Sequence, residues 1–241
     1  MKKFLKLTTV VVSMVMALTF VSCANGNSSN NGNENSNENT SNNGNENSNA
    51  NEEELNLVGT YGISKFETLY KSPESESSIT MTMPTSTSYR QYGTIKSING
   101  DTTSVQEMDV TITKTADGYS FNWAKYNING EAANEDAKDA VVQTVTDDSW
   151  NGTTKMFAMT ITTTADGKWS NNNTPASSGT YTVDEANSKV TITTLIDGGK
   201  TLESPIIEEG TYSDNGKTFV IVKDLSPDEG TYKMTMTLTR K

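Results

Sequence analysis

From Leu55 to the C-terminus, apolar and polar side chains alternate with a period of two, the spacing of a strand with one face turned to a core. Tyr232, Met234, Met236 and Leu238 alternate with Lys233, Thr235, Thr237 and Thr239; Met108, Val110 and Ile112 alternate with Thr111 and Thr113; Val190 and Ile192 alternate with Thr191 and Thr193. Tyr119, Phe121 and Trp123 hold one parity, then Tyr126 and Ile128 take the other, which predicts a bulge near Ala124-Lys125. Thr218 to Val222 is apolar on both faces, so its outer side is expected to be covered.

Asn-Gly and Asp-Gly pairs punctuate these runs at residues 99, 117, 129, 151, 166, 197 and 215, and such pairs supply the positive φ angles of tight hairpins. Strands joined this way pair antiparallel. The pattern predicts strands near 57–67, 79–83 or 91–98, 104–114, 119–128, 153–164, 179–184, 189–196, 201–212, 217–223 and 231–239, with a single short helix at 131–140. The fold class expected is therefore all-β, an antiparallel up-and-down barrel of about 8–10 strands. Repetition is local: Thr111 to Gly118 returns as Thr160 to Gly167, and Gly-Thr-Tyr occurs at Gly59, Gly179, Gly210 and Gly230. Spacings this uneven exclude a solenoid or propeller.

The first 54 residues follow different rules. Three lysines within Met1 to Lys6 precede an uncharged stretch, Leu7 to Phe20, which together form an export signal over residues 1–22 that is too short to span a bilayer. Val21-Ser22-Cys23 ends it, and Cys23 is the only cysteine of the chain. This sequence resembles the lipobox of bacterial lipoproteins, with Phe20 standing where that family usually has leucine. The resemblance implies diacylglyceryl transfer to the Cys23 sulfur, cleavage after Ser22, and an acylated protein held on a membrane of the bacterial cell envelope, at the outer membrane or cell surface. Residues 23–54 then form a linker whose Asn-Gly-Asn-Glu-Asn-Ser-Asn unit at Asn31 returns at Asn43; with nothing apolar to bury, it is expected to be a disordered tether. Residues 55–241 are left for one domain.

Composition narrows the chemistry. The chain has no histidine, so Ser-His-Asp and Cys-His nucleophiles, His/Cys zinc sites and haem are not expected, and no cofactor is. Of its 19 basic residues three lie in the signal, leaving 16 against 30 acidic ones, or −14, a balance that disfavours nucleic acid. Carboxylates abound, yet Glu208 and Glu209 are neighbours on a strand and point to opposite faces, so they cannot act together on one substrate. Asp214-Asn215-Gly216 lacks the further oxygens of a calcium loop and reads as a turn. An enzyme is not expected.

Gly59-Thr60-Tyr61 opening the first strand, the long meander, Gly179-Thr180-Tyr181-Thr182-Val183 and the final strand resemble the lipocalin-like domains of bacterial surface lipoproteins, with Tyr61 in place of the tryptophan of the lipocalin Gly-x-Trp signature. That resemblance implies a barrel whose mouth holds a small apolar or amphipathic ligand. The inward residues expected to contact it are Tyr61, Tyr119, Phe121, Trp123, Met159, Met234 and Met236, with Cys23 as the lipidation site and membrane contact. The alternative is an interaction or structural module, a filled barrel or β-sandwich that contacts an envelope protein or polymer. An apolar cavity of at least about 300 Å³ separates the two.

Overall fold

The computed structural model describes residues 55–226 and 230–241. The signal segment, Cys23 and the tether lie outside the described residues. Within them the chain is all-β, with strands β1 (Gly59–Lys71), β2 (Ser75–Thr85), β3 (Ser88–Asn99), β4 (Thr102–Thr115), β5 (Gly118–Ile128) and β6 (Glu131–Ala132), followed by helices α1 (Glu135–Val142) and α2 (Asp147–Ala158). Seven more strands complete it: β7 (Thr160–Thr163), β8 (Lys168–Asn171), β9 (Ser178–Asp184), β10 (Lys189–Asp197), β11 (Lys200–Ser213), β12 (Thr218–Asp224) and β13 (Thr231–Arg240). No helix among the described residues is long and apolar enough to cross a membrane.

β1 organises the molecule. One of its edges pairs with β13 from Tyr61–Arg240 to Lys71–Thr231. Its other edge is divided: Gly59 to Gly62 pair with β7, and Lys65 to Lys71 pair with β2. The ladder to β13 shifts between Ile63 and Lys65, where the two halves meet. A bulge of this kind bends a strand and lets its halves belong to different curvatures. The N-terminal half of β1, with β7 to β13, closes an antiparallel barrel of eight strands. The C-terminal half carries β2 to β6 away as a five-stranded wing, and α1 and α2 return the chain to the barrel. The eight-stranded barrel agrees with the strand number expected, but the wing was not legible as a separate part.

Two local expectations need correction. The segment expected as a strand over 153–164 is helix to Ala158, and only Thr160–Thr163 is extended, so Asn151-Gly152 is not a hairpin turn. Thr146 caps α2 by accepting from the Ser149 amide, and the Ser149 hydroxyl accepts from the Thr146 amide, forming a reciprocal box. Trp150, Thr153 and Phe157 then fall on one buried helical face. The outer side of β12 is not covered either: Val222 is 46% exposed. The parity change in β5 does appear as a bulge, since Asp109 pairs with Lys125 and Val110 with Trp123, leaving Ala124 unpaired. In the wing, Trp150 of α2 lies 5.4 Å from the Tyr89 ring and 5.5 Å from that of Tyr119, over buried Val110 and Ile112.

Candidate functional site: a cavity in the barrel

Alternation along the barrel strands directs one side chain in two inward. On β10 these are Val190, Ile192 and Thr194; on β12 they are Phe219, Ile221 and Lys223; on β13, Met236 and Leu238. They do not fill the space they enclose. A cavity of about 420 Å³ remains, within the range of small-molecule sites.

Its floor is built around Tyr61. The ring meets Phe219 edge-on at 4.6 Å. The hydroxyl donates toward the Gly216 carbonyl at 2.7 Å, with the Leu57 carbonyl at 3.1 Å, and accepts from Arg240 Nη2 at 2.9 Å. The Arg240 guanidinium lies 5.5 Å from the ring centroid and also donates to the Asn56 carbonyl. Thr163 Oγ1 donates to the Leu57 carbonyl at 2.5 Å, so the chain entering β1 is sewn across the end of the barrel. Gly216 permits this closure: its φ is +84°, and a Cβ there would stand 2.6 Å from the Asn56 carbonyl oxygen.

The wall is mainly aromatic and aliphatic. Trp169 Nε1 donates to the Thr193 carbonyl at 3.3 Å, which fixes the indole against the cavity. Tyr181 donates to the Thr164 carbonyl at 2.9 Å, and burial pushes its phenol above the ordinary value. Ile161, Ile192 and Ile221 complete the apolar girdle.

Polar groups gather at the opposite end, where the segment after β8 meets the β10–β11 hairpin. Ser177 Oγ donates to Asp197 Oδ1 at 2.8 Å and accepts from the Gly198 amide at 3.1 Å. Lys223 and Glu208 form an ion pair at 3.4 Å. Lys200 also lines this mouth.

Of the residues singled out from sequence, Tyr61, Met159 and Met236 line the cavity. Met234 lies on the same strand, half-buried against the common core, but does not line it. Tyr119, Phe121 and Trp123 belong to β5 in the wing, where Phe121 and Trp123 stack at 6.3 Å and Trp123 and Tyr126 at 5.1 Å. The structure thus brings together three of the seven. Trp169 was missed because Lys168–Asn171 is four residues long, too short for alternation to register. Glu208 lines the cavity whereas Glu209 does not, and Glu209 stands 4.0 Å from Lys189.

Among the described residues no cluster of three His, Cys, Asp or Glu side chains could hold a metal ion. Asp214 Oδ2 is occupied by the hydroxyls of Ser213 at 3.2 Å and Thr218 at 3.1 Å, a turn that binds itself. Compared with protein-family models, curated proteins and solved structures, the chain matches none of them.

Proposed function

We propose that the chain is a lipid-anchored envelope protein, acylated at Cys23, whose lipocalin-like barrel binds one small apolar or amphipathic molecule and performs no chemistry on it. The cavity carries the reading. A barrel that served only as a rigid module gains stability by filling its interior, because an empty apolar cavity forfeits dispersion contacts on every wall. About 420 Å³ left open, with Trp169, Tyr181 and three isoleucines around it and the charged groups gathered at one end, suits a ligand with an apolar body and a polar tip.

The decisive experiment is native mass spectrometry of the protein purified from its own host, followed by extraction. A retained small molecule at one per chain is expected. Loss of that mass in Ile192→Trp, whose indole would occupy the cavity, would place it in the barrel; retention at full stoichiometry in that variant would sink the proposal.

A further inference from the structure

The mouth of the barrel holds four charged side chains, and three of them differ from the fourth in one respect. Glu208 is paired with Lys223 at 3.4 Å, and Asp197 receives the Ser177 hydroxyl at 2.8 Å. The exposed Lys200 side chain faces the same opening with no hydrogen-bond or ion-pair partner among the described residues. The carboxylates at the rim are already supplied with donors, while one ammonium keeps all three of its own for an incoming group.

The surroundings of Lys200 are suited to what would follow such a group. Lys200 opens β11 immediately after Gly198-Gly199, so the backbone places it at the rim, beside Asp197 across the hairpin. Further along the same strand, Ile206 lines the cavity yet is 41% exposed, forming an apolar step between the rim and the girdle of Ile161, Ile192 and Ile221. A cationic head would be opposed by this ammonium, whereas an anionic one would meet donors that no protein group claims.

We propose that the ligand is an amphiphile with a single anionic head and an aliphatic body, the head held by Lys200 at the rim and the chain running past Ile206 to the floor at Tyr61 and Phe219. This assignment rests on the ligand-binding reading above and adds the chemistry of the head.

The test uses the full chain and three probes that share a twelve-carbon tail: dodecanoate, dodecanol and dodecyltrimethylammonium, each below its micelle concentration. Binding is followed by tryptophan fluorescence, with Trp169→Phe identifying the cavity component. Dodecanoate is expected to bind about fivefold more tightly than dodecanol, the scale of one rim charge, and dodecyltrimethylammonium most weakly. Lys200→Met should abolish the dodecanoate advantage and leave dodecanol within about twofold, whereas Lys200→Arg should keep it. Equal affinity for all three heads, preference for the cation, or equal loss of dodecanoate and dodecanol in Lys200→Met would overturn the head assignment while leaving a binding cavity in place. Failure of all three probes to bind would remove both the assignment and the reading beneath it.

Discussion

At Tyr61 one phenolic oxygen joins the segment before β1, the turn before β12 and the last strand. Its donated proton is shared by carbonyls at positions 216 and 57, and its lone pair takes the Arg240 guanidinium. Tyr61→Phe keeps the ring against Phe219 but leaves the Gly216 carbonyl and one guanidinium nitrogen short of a partner in a buried place. A loss of about 1–2 kcal/mol is expected from urea denaturation, with an unchanged slope. A second phenol makes a prediction in pH. Tyr119 is pushed up to about 12, by burial first and then by the hydrogen bond it donates to Asp147 at 2.5 Å. Its proton is held more tightly in the folded chain than in the unfolded one, so its contribution to stability is complete below pH 10 and is lost as pH rises through about 12. Ultraviolet titration should show a late-ionising tyrosine that disappears in Tyr119→Phe and ionises earlier in Asp147→Asn; no change in either variant would mean the contact is not made in solution.

Among the elements, α2 is the piece whose removal should be felt furthest from the barrel. Trp150 is 4% exposed between Tyr89 and Tyr119 and covers Val110 and Ile112 of β4. Trp150→Ala should cost about 3–5 kcal/mol, read as a lower unfolding midpoint. Because Trp150 packs against Tyr89, Val110, Ile112 and Tyr119, none of which lines the cavity, dodecanoate affinity at temperatures below that midpoint should stay within about twofold. The same element marks the limit of what the sequence made legible. Period-two alternation located β4, β5, β10, β12 and β13 and placed Ile192 and Met236 correctly toward the interior, because a strand with one buried face leaves that mark whatever it pairs with. Alternation is silent on partners. Val110 in the wing and Val190 in the barrel carry the same pattern, so Tyr119, Phe121 and Trp123 were grouped with Tyr61, Met159 and Met236 although none of the three lines the cavity. The splitting of β1 between β7 and β2 depends on a bulge beside Ser64 and on long-range pairing, neither of which has a local signature. In α2 the pair Asn151-Gly152 argued for a hairpin, and the capping box at Thr146 with the 150, 153, 157 spacing outweighed it.

At the scale of the whole molecule, the barrel has unlike ends. The floor is closed by the chain at Asn56 and Leu57, where the described residues begin, and the mouth lies at the other end, among Ser177, Asp197 and Lys200. The described chain therefore enters at the closed end, so the tether proposed to run from Cys23 would attach there, with the opening at the other end. Under that proposal residues 23–54, as a flexible coil, would span on the order of 30 Å and up to about 90 Å when stretched, enough to hold an open mouth clear of a bilayer or turn it back toward one. In the arrangement proposed above the anchor is a thioether at Cys23, where each buried methylene of an acyl chain would contribute about 0.8 kcal/mol, whereas the acidic chain, at −14 without the three lysines of residues 1–22, would be repelled by anionic lipid. On that proposal Cys23→Ser should move the protein from the membrane fraction to the soluble one while leaving dodecanoate affinity unaltered, since the cavity is lined by residues of the barrel. Partition unchanged by the substitution would show that another part of the chain supplies the anchor, and a matching loss of affinity would show that the acyl chains themselves occupy the barrel.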